Sequence, residues 1–211
     1  MTNYDLTKQR AAAQFLDYSQ ERIIKRWGLA YDEQSLFLRF VDHDYQISRS
    51  TGEIMRLEPA ESSADPAAPS AKLASFNEAM TIYDLLCHRS ETARLSGDMT
   101  PLNCLAKAQS AWMSEPHIFF KRQSKLVDAN PELAISNLEC MGAQKSIGAD
   151  IAYIIPVFKD IRASFKFWHS DDEFAASIKT YWDNNLTDFM YYETVCYAGS
   201  YIIWRITEGM E

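Results

Sequence analysis

From Leu6 to Trp27, large apolar residues return at steps of three, four and seven: Ala12, Phe15, Leu16, Ile23 and Trp27 share one face, with charges between them. That spacing matches the helical period and predicts a first helix, stopped at Gly28. The period then changes. In SLFLRFVDHDYQISRSTGEIMRL, Leu36, Leu38 and Phe40 alternate with Phe37 and Arg39, Tyr45 and Ile47 alternate again, and VDHD and STGE supply turns. A three-stranded meander over residues 36–57 is predicted. Residues 58–71, EPAESSADPAAPSA, hold three prolines and no large apolar side chain. With nothing to offset the cost of ordering, a mobile surface loop is expected there.

Beyond it, Leu73, Phe76, Met80, Tyr83 and Leu86 predict a helix capped by Ser70, residues 96–105 a loop or short strand, and residues 115–127 a further helix. Asn130-Pro131-Glu132 reads as N-cap, first helical residue and dipole-complementing acid, with Gly142 at the stop. In the last third, ADIAYIIPVF and IRASFKFW read as strands and HSDDE as a turn. FAASIKTYWD follows as a strand with Phe174, Ala176, Ile178, Thr180 and Trp182 on one face, and Glu193 to Ile206 as an almost charge-free helix, which must be covered on most sides. Strands without regular crossover helices favour antiparallel pairing. The expected fold class is α+β, a single domain over residues 1–211. Its antiparallel sheet combines the N-terminal meander with the C-terminal hairpin 152–182 and is packed by helices, the last one through Val195, Ala198, Ile202 and Ile206.

Charge narrows the partners. A net charge of -8 disfavours nucleic acid, which needs a concentrated basic face. Residues 1–57 carry eight basic and eight acidic side chains, while 149–211 carry five and ten. Lys121-Arg122-Lys125 is the one compact basic group along the chain, and helical spacing reads it as a solvated face. No apolar signal segment opens MTNYDLTKQR, and no apolar run reaches membrane-spanning length, so a cytoplasmic location without membrane contact is expected. Cys87, Cys104, Cys140 and Cys196 are too dispersed for a metal motif and read as reduced, mostly buried thiols, so no metal and no cofactor are expected.

Read together, FVDHDYQISRSTGEI, LSGDMTPLNCL, LECMGAQ, IIPVF, FKFWHSDDEFAASIKTYWD and YETVCYAGSYIIWRI resemble a bacterial and archaeal family, the domain of unknown function numbered three-seven-eight-six. Its pattern W-x-[GS]-D-x-E-F, then a strand, an Asp and an acid-headed helix, falls on Trp168, Ser170, Asp171, Glu173, Phe174, Asp183 and Glu193. The chain departs from the pattern at Ala175, where a proline is usual, and at Tyr192, where a Ser or Thr would cap the last helix. The resemblance implies no established activity. Some relatives carry a cysteine-rich iron-sulfur module, which hints at redox or one-carbon metabolism.

Asp171-Asp172-Glu173 is the most conspicuous acidic group. At a turn, water keeps such carboxylates ionised, and strand alternation sends Asp172 and Glu173 to opposite faces. Asp183, about 33 Å further along an extended strand, cannot share a metal with Glu173. His43 and His169 each stand beside acids in turns and could act as oriented bases. The other feature is aromatic: twelve Phe, Tyr and Trp residues fall between Phe165 and Trp204. Tyr and Trp carry polar tips that need partners, which suits a pocket or an interface. Trp168, Trp182, Tyr191 and Tyr192 are the candidate ligand-binding residues. The favoured reading is a non-catalytic module for a small molecule or a protein partner. The alternative is an enzyme of unfamiliar site, with Asp171 and Glu173 converging with His43 or His169 as acid and base.

Overall fold

The computed structural model describes residues 2–58, 71–105 and 120–211. The expected mobile loop lies outside the described residues except for Glu58 and Ala71, as do residues 115–119 of the helix expected over 115–127. The architecture is α+β, with six α-helices and two five-stranded antiparallel sheets among the described residues.

Helices α1 (Asn3–Asp17) and α2 (Gln20–Trp27) replace the single first helix. The break falls where Ser19 turns extended and its side chain accepts a hydrogen bond from the Arg22 amide, so a local cap overrides a continuous apolar stripe. Gly28 ends α2 at φ 56°. The first sheet runs in chain order: β1 (Ala30–Tyr31), β2 (Ser35–Phe40), β3 (His43–Ser48), β4 (Ile54–Leu57) and β5 (Ala71–Leu73). Gly52, in the turn between β3 and β4, sits at φ 74°, and a Cβ there would lie 2.7 Å from the Ala12 carbonyl oxygen. Only glycine lets α1 approach that turn so closely.

Helix α3 (Phe76–Cys87) starts later than the sequence suggested. Ser75, not Ser70, is its N-cap: the Ser75 hydroxyl accepts from the Glu78 amide while the Glu78 carboxylate accepts from the Ser75 amide. Leu73 belongs to strand β5 instead. Two short helices follow, α4 (Lys121–Ala129) and α5 (Pro131–Cys140). The Asn130 side chain donates back to the Leu126 carbonyl and makes no cap bond to α5.

The second sheet has the order β6 (Met99–Pro101), β10 (Ser177–Asp183), β9 (Ile161–Trp168), β8 (Ile151–Phe158) and β7 (Gln144–Lys145). Meander and hairpin therefore form separate sheets; the Val41 amide joins them, donating to the Val157 carbonyl at 2.7 Å. Strand β10 starts at Ser177, three residues after Phe174, because the Asp171 carboxylate accepts from the Glu173 and Phe174 amides and holds them in a turn. Phe174 is left exposed.

The last helix, α6 (Tyr192–Ile206), packs on α3 and α5 and touches both sheets through side chains. Val195, Ala198, Ile202 and Ile206 are fully buried, as the sequence predicted. Tyr201 stacks on Phe40 of the first sheet, and a Cβ at Gly199 would lie 3.7 Å from the ring of Trp182 in the second. No helix among the described residues is long and apolar enough to cross a membrane.

Candidate functional site

The acidic hairpin does not assemble with the histidines into one centre. Asp171 is engaged in its own turn, and Asp172 and Glu173 are exposed. His169 lies with Nδ1 2.7 Å from Asp128 Oδ1, and its backbone amide donates to Asp150. The Ser170 hydroxyl also donates to Asp128; with the His169 contact, it holds that carboxyl below its ordinary range. These contacts fasten the hairpin tip to α4. Asp183 accepts from the Ser96, Gly97 and Asn185 amides, which outweigh the effect of burial and keep it ionised. His43 is set apart from this tip. Its hairpin meets β8 at Val157, about 20 Å along the strand from Ile151, which pairs with Phe167 just before the tip.

His43 belongs instead to a buried polar chain that the sequence did not disclose. Val41, in the two-residue turn between β2 and β3, takes φ 54°, a strained value for a β-branched residue. The next residue, Asp42, places one carboxylate oxygen 2.9 Å from His43 Nδ1 and accepts with the other from Arg205 of α6. The Tyr201 hydroxyl lies 3.2 Å from His43 Nδ1 and 3.3 Å from the Tyr45 hydroxyl. Tyr45 in turn donates to Glu78 Oε1 at 2.5 Å, and Arg56 donates to both Glu78 and Glu58. Burial pushes the Tyr201 hydroxyl up to about 12 and the Tyr45 hydroxyl higher still, so both stay neutral. Glu78 is also buried, but bonds from Ser75 and Tyr45 and the Arg56 charge hold it below its ordinary value.

Asp42 has the largest consequence for pH. Burial raises its carboxyl, but His43 and Arg205 outweigh that and hold it at about 2, against an ordinary 3.8. A depressed acid stabilises the fold fully above its unfolded value and loses that contribution as pH falls through the folded one. About 2 kcal/mol of stability should therefore disappear between roughly pH 4 and pH 2. In denaturant titrations, the stability difference between the protein and Asp42→Asn should shrink across that window. A difference that stays constant from pH 5 to pH 2 would contradict the assignment.

The aromatic candidates divide. Trp182 is fully buried, its indole donating to Thr180, and so is a core residue. Trp168 is half-buried at the end of β9, with the Lys179 ammonium 5.4 Å from its ring. The Tyr192 hydroxyl is buried, with no oxygen or nitrogen partner among the described residues. Burial and the neighbouring Cys196 thiol push it up to about 12. Tyr191 is exposed and lines a cleft of about 280 Å³ between α1, α3 and the start of α6.

That cleft has five aromatic rings, from Tyr18, Phe76, Tyr83, Tyr191 and Tyr197, besides Phe15 at its base. The His88 ring lies against Tyr191, tilted by 39°, with centroids 3.7 Å apart. Its charged lining is acidic: Asp84 accepts from the Tyr191 amide, and Glu193 Oε1 accepts from the Tyr197 hydroxyl at 2.5 Å. Burial keeps Asp84 above its ordinary value despite its hydrogen bonds. Cys87, also in the lining, is pushed up to about 12 by burial and stays a thiol. Cys104 and Cys140 are exposed rather than buried, and no group of three or more His, Cys, Asp or Glu suited to a metal occurs among the described residues.

Two antiparallel sheets joined through a buried last helix, with an aromatic, acid-edged cleft at that helix's N-terminus, define an α+β fold. Residues 19–205 match the model of the family described as "Domain of unknown function (DUF3786)", and the chain belongs to that family. No curated protein and no solved structure matches it.

Proposed function

We propose that this protein is a binding domain for a small organic cation, taken into the cleft between α1, α3 and α6. The observation that supports this reading is the lining: five aromatic faces and two carboxylates, with no Lys or Arg among the described residues. An ammonium or similar cation gains from the ring quadrupoles, while apolar parts of the ligand displace water from the rings. Glu193 is exposed, and its Oε2 has no partner among the described residues, so it can meet the charge. At about 280 Å³ the cleft sits at the small end of ligand pockets. The acid and base groups of the enzymatic alternative, Asp171, Glu173, His43 and His169, are outside its lining.

A ligand that binds the folded state raises the melting temperature by mass action. Phenethylamine should raise it in a dose-dependent way, phenylacetate should not, and Glu193→Gln should remove the amine's effect while leaving the unliganded melt nearly unchanged. Equal shifts with amine and acid, or an amine shift that survives Glu193→Gln, would reject the reading.

A further inference from the structure

A second concavity, of about 530 Å³, shares no lining residue with the aromatic cleft and has the opposite charge. Three separate segments supply its cations, Arg26 at the end of α2, Arg89 with Arg94 in the stretch after α3, and Lys159 in the turn between β8 and β9, while Trp27 and Phe189 add aromatic rings. Four cationic side chains thus line one pocket of a protein whose net charge is -8. Asp160 is its only acidic lining residue among the described residues.

These cations are not spent on ion pairs. Among the described residues, none of the four comes within ion-pair distance of a carboxylate, whereas Arg49, Arg56 and Arg205 all do. Their hydrogen bonds go to backbone carbonyls and leave donors over: Arg26 Nη1 to Arg89, Arg94 Nη1 to Ala93, and Lys159 Nζ to Gly28. Arg89 donates to no acceptor among the described residues. Its guanidinium lies instead 4.5 Å from the Trp27 ring and 5.1 Å from the Phe189 ring. Contact with two rings restrains an arginine without using its N–H donors, which stay available for a two-pronged grip on an oxyanion.

Two further features fit a ligand. Burial and the charges of Arg26 and Arg94 hold the Arg89 guanidinium below its ordinary value, so the like charges in this pocket are close enough to repel. A bound anion would relieve that repulsion. Lys159 also takes φ 52°, where glycine or asparagine is the usual residue, and this strained turn brings its ammonium to the pocket.

We propose that Arg26, Arg89, Arg94 and Lys159 form a binding site for a small molecule bearing two or more negative charges on oxyanion groups, such as a phosphate ester or a polycarboxylate. Arg89 grips one oxyanion edge-on, and Arg26, Arg94 and Lys159 neutralise the rest. The site accepts the charge class that the aromatic cleft should refuse.

Calorimetry of the full chain at low ionic strength, with pyrophosphate and with citrate as separate probes, tests this. At least one probe should bind at one site per chain, and added salt should weaken binding. Tighter binding of pyrophosphate would mark phosphate esters as the ligand class, and tighter binding of citrate would mark polycarboxylates. Arg89→Gln should weaken binding about tenfold or more, because a charge-assisted pair is lost. Arg94→Gln, on an exposed side chain, should act in the same direction and keeps the test valid if loss of the Arg89 stack unfolds the protein. Lys121→Gln with Arg122→Gln removes two exposed charges outside the pocket and should leave the affinity unchanged. No binding of either probe at low millimolar concentration would overturn the proposal, as would equal weakening by the Lys121/Arg122 pair.

Discussion

Trp182→Ala should destabilise the protein by about 3–5 kcal/mol, the range for truncating a large aromatic in a packed core. Trp182 is fully buried in β10, next to β6 and β9, and its ring faces Gly199 of α6 across ordinary van der Waals distance. Truncation opens a cavity where sheet and helix meet, and neither a strand bonded on both edges nor a buried helix can collapse far into it. For a chain of this length the melting temperature should fall by about 10 °C or more. Trp168→Ala, on the same sheet but half-buried, should cost about 1 kcal/mol. Urea unfolding of both variants decides between them. Similar losses in the two would mean that Trp182 is not the core residue its burial indicates.

Glu78→Ala should cost a similar 3–5 kcal/mol for a different reason. Glu78 is 2% exposed and accepts from Tyr45, Arg56 and the Ser75 amide. Its removal strands the Tyr45 hydroxyl without its carboxylate, takes one of the two acceptors of Arg56 and breaks the capping box of α3. Breaking one side of a buried ion pair is costly because the other side stays desolvated. A double-mutant cycle with Arg56→Ala should show a coupling of about 1 kcal/mol or more between the two residues. A loss under 1 kcal/mol in the single variant, or additive losses in the cycle, would show that the chain of hydrogen bonds is not a structural linkage.

Much of the architecture was legible in residue order, because local periodicity reports which side of an element is buried. The alternation from Leu36 to Leu57, the two strands before the acidic turn, the apolar face of the last helix and the stops at Gly28 and Gly142 all hold in the structure. The misplaced boundaries are those set by one or two local hydrogen bonds: Ser19 divides the first helix, Ser75 delays the third, and Asp171 shortens β10. Periodicity averages over a window and does not register one cap.

Convergence was a different matter. The aromatic excess near the C-terminus pointed toward the cleft, yet of the four residues singled out only Tyr191 lines it, since Trp182 fills the core. The acids and histidines that stood out in sequence stay apart, while Asp42, Tyr45, Glu78 and Tyr201 form one hydrogen-bonded chain across three elements and a turn. Lys121-Arg122-Lys125 looked like the compact basic group. The fold makes a stronger one from Arg26, Arg89, Arg94 and Lys159. By itself the sequence determined the elements, their buried faces and the family, since each of those is written in neighbouring or evenly spaced residues. Only the tertiary structure decided which charges meet and which are paired, because proximity across the chain depends on how sheets and helices pack, and no local spacing records that.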